Sequence, residues 1–535
     1  MTSDSKLEPL LDWDDIQGNI LGGFNKDHQT LIGLRFSSDL TSNKKFLSDL
    51  SKRITTLKEV LSYKAVRARR MREEGSEPKD LKAVWTAAAL SFDALRTLTS
   101  EADSFTDLEF RNGLPKSSAR LGDPTVQGGV NDFSQWVVGA PGSIPDVLMI
   151  VAGDDVSELR ETTQLVTEAS DSAGLKIIYE ETGHDLSHYS DEHNNFPSGH
   201  EHFGFKDGVS QPGIRGVLPN GHFLTERTIQ QPDPDHTGTE YAEIGKPLVC
   251  VGQFVLGHAQ QVDSAPRQPG PPRPLGSQPN AIAPSWAANG SFLVFRRLQQ
   301  DVAGFYAFIN DNVSAVGRPD LNSQRLAAML VGRWPSGAPV IRSPQQDDPS
   351  AAAKSVVNAF AYGDDNGSLG LPNDSEGVIC PVAAHIRKVN PRDGDTNLGF
   401  ASATLTVRIL RRGIPYGKPF DPKVPEAKLV DRGLLFLSYQ ASIAKQFELL
   451  CTTWMNSGVL PQNPSSHQEG LGFDMLVGQQ FFGRVRSAYL RFAPAGAQDV
   501  QVTNQISKVK DWVIPTGGGY FFAPSISTMA KVLGG

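Results

Sequence analysis

The chain has 535 residues, 39% of them hydrophobic, with 51 basic against 59 acidic side chains and a net charge of −8. That length and apolar content allow a large buried core spread over roughly two to four domains of ordinary size. The acidic balance argues against nucleic acid or an anionic membrane as a partner, since both need a dense basic surface, and three cysteines, Cys250, Cys380 and Cys451, exclude a disulfide framework.

The first residues, Met1 to Lys6, are polar, with no apolar run of signal-peptide length, and no later window approaches the roughly 20 apolar residues of a membrane span. The expected location is cytoplasmic for the chain as it stands, or secreted if a leader is missing; only then would the sequons at Asn289, Asn312, Asn366 and Asn373 matter. In chain order, β-rich and helical periodicities alternate. A strand is predicted over Leu31–Phe36, helices over 43–62 and 85–99, a strand over Val147–Ala152, a helix over 155–170 and a strand over Leu175–Glu180. Prolines and glycines then crowd Pro266–Pro284, where a strand ladder cannot form because proline lacks the amide donor. Beyond it come a strand over Phe292–Arg296, helices over 299–310 and 320–333, a Gly/Asp/Ser-rich surface insertion over 338–378, strands over Leu405–Leu410 and Leu434–Tyr439, and a helix over 440–456. The second half loosely echoes the first. Two α+β units, each an antiparallel sheet with helices on one face, are therefore expected: an N-terminal domain over 1–265, a Pro-rich linker over 266–285 and a C-terminal domain over 286–535.

Three segments carry chemistry. Gly204-Phe205-Lys206-Asp207-Gly208 holds a carboxylate between two glycines, which let a backbone approach a large flat ligand. Ala384-His385-Ile386-Arg387-Lys388 holds one histidine, and Leu410-Arg411-Arg412-Gly413-Ile414-Pro415-Tyr416-Gly417 two arginines before a turn. An acid, an imidazole and a guanidinium are what heme-dependent peroxide chemistry needs. A rival constellation is His184, His188, His193, His200 and His202, in which His184 and His188 at i, i+4 spacing on a helix face would suit a non-heme metal. The glutamate that a zinc-protease helix places beside its first histidine is absent, as are a phosphate loop, a nucleophile elbow and a C-x-x-C pair.

The three segments, together with Asp14–Ile20, Gly290–Arg297, Val331–Gly337 and Gly433–Phe436, resemble the dye-decolorizing (DyP-type) heme peroxidases in family order over most of the chain, and its length resembles the longer, fungal-like or cyanobacterial-like branch. The resemblance implies two ferredoxin-like units with one heme b, held mainly by the C-terminal unit, and hydrogen peroxide as oxidant for dyes and phenolic donors. It implies no nucleic-acid or membrane partner and leaves a homo-oligomer open. By resemblance His385 is the axial ligand of the heme iron, since an electron-rich imidazole supports the oxidised metal. Asp207 is the proton-transfer group, and Arg411 stabilises the charge that develops as the O–O bond breaks. Arg412, adjacent on a strand, must face the other way. Leu434 and Phe436 would shape the distal pocket, Arg387 and Arg392 would pair with heme propionates, His202 would line the heme edge, and Tyr416 resembles the family's surface radical tyrosine, with Trp334 and Trp454 better read as core. The carboxylate that commonly braces the ligand histidine is missing from Trp454-Met455-Asn456-Ser457-Gly458, so Asn456, a backbone oxygen or a more distant acid must serve. Two alternatives stay open: a non-heme metalloenzyme using the His184–His202 loop, and a protein that stores heme without turnover.

Overall fold

Four runs rich in branched and aromatic residues, β1 (His28–Arg35), β2 (Val84–Leu90), β3 (Val147–Gly153) and β4 (Lys176–His184), pair antiparallel in the order β4-β1-β3-β2. The computed structural model describes residues 11–535 apart from 79, 127–130, 192–194, 215–216, 218–247, 262–281, 317, 400, 425–429, 462–471, 480–484, 493–501 and 509. Every residue of β3 is buried, so it reads as a continuous apolar run rather than an alternation: elements cover both faces of the sheet. A short parallel pair, β5 (Gly213–Ile214) and β6 (Leu248–Val249), stands apart.

The second half repeats the pattern. β7 (Ser291–Gln300), β8 (Leu410–Arg411), β9 (Ile414–Tyr416), β10 (Gly433–Gln440) and, after a separate hairpin of β11 (Arg486–Phe492) and β12 (Val502–Lys508), β13 (Val513–Ala523) give the order β13-β7-β10-β8, with β9 also on β10. Both halves thus have the 4-1-3-2 order of a ferredoxin-like unit. They fuse edge to edge through Phe522 of β13 and Leu90 of β2 into one nine-stranded antiparallel sheet.

Most predicted elements form, including the helices Val156–Ser172, Val302–Val316, Ser323–Val331 and Ile443–Met455. Four expectations are corrected. The helix expected over 43–62 is two, Leu40–Ser51 and Leu57–Glu74, because Thr56 starts the second with a capping box in which its hydroxyl accepts from Glu59 N–H while the Glu59 carboxylate accepts from Thr56 N–H. The helix expected over 85–99 begins as strand β2, since its small alanines fit a central position between β3 and β13; only after Ser91, whose side chain accepts from Ala94 N–H, does the helix Phe92–Leu98 start. The strand expected over Leu405–Leu410 is divided between the end of the 3₁₀ segment Ala401–Val407 and the start of a two-residue strand at Leu410. The 338–378 stretch is also no mere surface excursion: Val340, Ile341, Phe360 and Tyr362 pack with Trp334 and Cys380 into a core of their own. Residues 266–281 of the Pro-rich segment lie outside the described residues. Among the described residues no helix is long and apolar enough to cross a membrane.

Candidate active site

Strand alternation builds one wall of the site. Arg296, Leu298 and Gln300 point to one face of β7, and the register sets Leu298 opposite Leu434 and Pro515, Arg296 opposite Phe436, and Gln300 opposite Val513. All these side chains line a cavity of about 320 Å³. Facing them are Phe447, Leu450, Cys451 and Met455 on the π-helix Ile443–Met455, a rare helical form that recurs at functional sites. His385, Asp207 and Arg411 open on the same cavity, as do Leu434 and Phe436.

His385 is the first residue of the short helix His385–Val389. Its Nδ1 lies 2.7 Å from Oδ2 of Asp474, a fully buried carboxylate whose other oxygen accepts from the N–H groups of Leu476 and Val477. A carboxylate only accepts, so Nδ1 carries the hydrogen and Nε2 keeps the free lone pair. Burial opposes ionisation of Asp474, but His385, the Val477 N–H and Lys508 outweigh it and hold the carboxyl below its usual value. Asp474 is therefore the brace that the sequence around Asn456 lacked. Asn456 is engaged elsewhere: it accepts from Gln479 N–H and Arg486 and donates to the Leu121 carbonyl. The one local signal for Asp474 is an acid set within an otherwise apolar run, Phe473-Asp474-Met475-Leu476.

Asp207 sits in a loop that two left-handed glycines, Gly204 (φ 89°) and Gly208 (φ 69°), bend back on itself. The Glu201 carboxylate accepts from Phe203 N–H and Phe205 N–H, and Asp207 N–H donates to Gly199 C=O. One oxygen of Asp207 accepts from Arg411 Nη1 at 2.7 Å and from Gly208 N–H at 2.6 Å. Burial pushes this carboxyl up, but Arg411, the Gly208 N–H and His385 more than offset it, and the group lies below its ordinary value. Arg411 is aimed by β8, where it pairs with Ser438 of β10, and by Gln211, whose side chain donates to the Arg411 carbonyl. Arg412 faces the other way, and its guanidinium donates to the carbonyls of Asn19, Ile20 and Leu21. That contact explains why a segment near residue 19 belongs with the site's motifs.

Three more guanidiniums line the cavity. Arg392 donates to the carbonyls of Asn358 and Phe360 and stacks 3.6 Å from the Phe360 ring; Arg333 donates to the carbonyls of Gly337 and Val357 and to the Asn358 side chain; Arg408 donates to Asn390, and its Nε has no partner among the described residues. None is ion-paired with a carboxylate among the described residues. Burial, reinforced by Arg392, pushes Arg333 and Arg408 down to about 9. Cavity-facing cations without an ion pair among the described residues favour an anionic ligand. Apolar walls, one imidazole lone pair and uncompensated guanidiniums fit a flat apolar macrocycle that carries a metal and two carboxylates, which is heme.

Four readings of the sequence need correction. Arg387, two residues from His385 on a helix and so turned away from it, is buried against Asp374 and the carbonyls of Ser375 and Cys380, off the cavity wall. His202 is spent behind the loop, donating from Nε2 to the Tyr416 carbonyl, and does not line the cavity. Tyr416 is only 2% exposed, its ring under Arg297 and its hydroxyl donating to Asp431, so it is not a surface residue. His184 and His188 do not share a helix: His184 ends β4 and His188 lies in the 3₁₀ turn Leu186–Tyr189, while His193 falls outside the described residues. Trp334 and Trp454 are core residues, donating to the Ser343 carbonyl and the Asn397 side chain. Arg333 and Arg408, like Asp474, were missed as site residues, since nothing local separates an arginine facing a cavity from one facing water.

Comparison with known proteins points one way. Residues 15–184 match the family model described as the DyP dimeric alpha+beta barrel domain, and residues 280–459 match that described as Dyp-type peroxidase, C-terminal. A dye-decolorizing peroxidase of Mycena epipterygia is 30% identical over 98% of this chain and 88% of its own. A multifunctional dye peroxidase of an Amycolatopsis species is 28% identical over 97% of this chain and 95% of its own. Among solved structures, a variant of the dye-decolorizing peroxidase of Pleurotus ostreatus superposes with a TM-score of 0.75 at 26% identity, covering 98% of this chain and 100% of the other.

Proposed function

Because the chain belongs to the dye-decolorizing peroxidase family, we propose that its cavity binds one heme b and that His385, Asp207 and Arg411 are the groups through which it uses hydrogen peroxide. The activity is that of a heme peroxidase with reducing organic donors, and the non-heme alternative is not favoured. When bound, the heme supplies the redox metal that cleaves the O–O bond and takes electrons singly from donors.

The chain's own residues divide the remaining work. Nε2 of His385 would hold the iron, and the Asp474 carboxylate on Nδ1 would raise its basicity and fix its ring. Asp207, ionised down to acidic pH, accepts the proton that peroxide must lose and returns it to the leaving oxygen, a role that needs one positioned carboxylate. Arg411 holds Asp207 in place and supplies permanent positive charge beside the oxygens that become negative. Arg333, Arg392 and Arg408 would receive the two propionates. Leu434 and Phe436 keep the adjoining wall apolar and exclude water. Tyr416 serves as an interior relay for donors too large to enter, its proton passing to Asp431. The net charge of −8 supports small neutral reductants over nucleic acid.

The observation that carries this reading is the opening of His385 and of the Asp207–Arg411 pair onto one cavity with unneutralised arginines. The test is reconstitution with heme followed by spectroscopy and turnover. A Soret band at one heme per chain, lost in His385→Ala, together with peroxide-dependent oxidation of a dye, is expected. A Soret band that survives His385→Ala would remove it as ligand, and heme uptake without turnover would mark a storage protein.

A further inference from the structure

Away from the cavity, three histidines converge where two strands end. His28 opens β1, and its partner across the ladder is His184, the last residue of β4. The turn Leu186–Tyr189 folds His188 back over both. The ring centroids lie 5.0 Å (His28 to His184), 5.0 Å (His28 to His188) and 4.4 Å (His184 to His188) apart. One ring nitrogen from each lies within 4.8 Å of the other two, and the Nδ1 atoms of His28 and His184 are 2.8 Å apart. Three imidazoles on one tetrahedral zinc, at bond lengths of about 2.0–2.1 Å, place their nitrogens roughly 3.4 Å from one another. The observed spacings, from 2.8 Å up to 4.8 Å, bracket that value, so the His28 and His184 rings would open slightly and the exposed His188 ring would turn in to reach it. Asp27 and Asp185, neither of them in a salt bridge among the described residues, lie beside the cluster and favour a cation.

We propose that His28, His184 and His188 form a binding site for a divalent transition metal of the zinc class, with three imidazole ligands and a fourth position for water, distinct from the peroxidase centre. Three nitrogen donors without thiolate suit zinc and its neighbours over manganese or calcium, which prefer oxygen. None of the three histidines lines the cavity, yet hydrogen bonds link the site to it. Asp185, next to His184, accepts from the Ser198 hydroxyl and from Gly199 N–H at 2.7 Å, and Gly199 C=O accepts from Asp207 N–H at 2.9 Å. A bound ion therefore staples β1, β4 and the turn that starts the segment leading to Asp207.

The test uses chelator-treated, heme-loaded protein titrated with zinc sulfate by calorimetry, with the melting temperature read in parallel. One zinc per chain with a dissociation constant on the order of micromolar is expected, and zinc should raise the melting temperature. His188→Ala, at an exposed position, and His184→Gln, which keeps volume and polarity, should each weaken binding by roughly tenfold or more and abolish the thermal shift. Their Soret bands and His258→Ala, outside the cluster, report on folding and on stray histidine binding. No zinc uptake by the wild type at submillimolar concentration, or equal uptake by His188→Ala and His184→Gln, would overturn the site. Uptake lost in both variants without any thermal shift in the wild type would overturn the staple.

Discussion

The two ferredoxin-like halves have one strand order and opposite outcomes. In each, a helix follows the third strand: Val156–Ser172 after β3 and Ile443–Met455 after β10. The first is an α-helix, capped by Asp155, that lays Leu159, Thr163, Val166 and Ser170 against a strand whose residues are all buried. The second is a π-helix whose Phe447, Leu450, Cys451 and Met455 look onto a cavity, across from Leu434 and Phe436, which are only partly buried. The same chain path makes a closed core in one half and a ligand chamber in the other. Side-chain packing, not topology, decides which, since an apolar wall left open costs about 25 cal/mol per Å² until something covers it.

If that contrast is right, changes at the chamber alter chemistry with little effect on folding, and changes in the closed half do the reverse. The largest effect is expected for Asp207→Asn, which should keep heme but slow the reaction with peroxide by about 10²–10⁴-fold in stopped-flow experiments; wild-type rates would remove Asp207 from proton transfer. The folded value of Asp207 lies below the ordinary 3.8. Its carboxylate form therefore persists as pH falls and is lost only below that value, so the acid limb of the wild-type rate should lie there and vanish in Asp207→Asn. Next comes Arg411→Leu, expected to cost about 10²–10³-fold and to move the acid limb upward, because burial then acts on Asp207 without its main opposing charge. Arg412→Leu strips donors from the carbonyls of Asn19 to Leu21 and should lower the melting temperature more than turnover per heme; the reverse ranking would show that the other arginine does the chemistry.

Asp474→Asn should reduce activity by roughly 10–100-fold and raise the heme reduction potential, since a neutral amide makes His385 a weaker donor. An unchanged potential would break the assignment of Asp474 as the brace. The smallest catalytic effect belongs to the packing pair. Leu159→Ala should destabilise the protein by about 2–5 kcal/mol in denaturant melts with turnover per heme unchanged. Leu434→Ala, on the chamber wall, should cost well under half of that and change turnover instead. Equal losses of stability would erase the distinction between core and chamber.

Much of this was legible in advance, for identifiable reasons. The helix at Val156–Ser172 and the strand at Val147–Gly153 were found within a few residues because their period and flanking turns are local. Asp207, His385 and Arg411 were singled out through their resemblance to the DyP-type peroxidases, and the structure opens all three onto one cavity. β2 was misread because Ala-Ala-Ala favours a helix until neighbours on both sides offer it a ladder. Asp474 was missed because its partner lies 89 residues away, and Arg387 was read as facing the cavity although closeness to His385 in sequence is not closeness around a helix.

By itself, then, the order of residues determined most of the periodic elements, the duplicated α+β plan and the three motifs that hold Asp207, His385 and Arg411, since these depend on neighbours a few positions apart. Only the tertiary structure decided that the two sheets fuse at Leu90 and Phe522, that Arg411 grips Asp207 across 204 residues, that Asp474 braces His385, and that three arginines without an ion pair among the described residues face the cavity. Such pairings are set by which surfaces close on one another when the whole chain packs. The entropy of bringing distant segments together depends on chain length and barely on local sequence, so no local pattern encodes them.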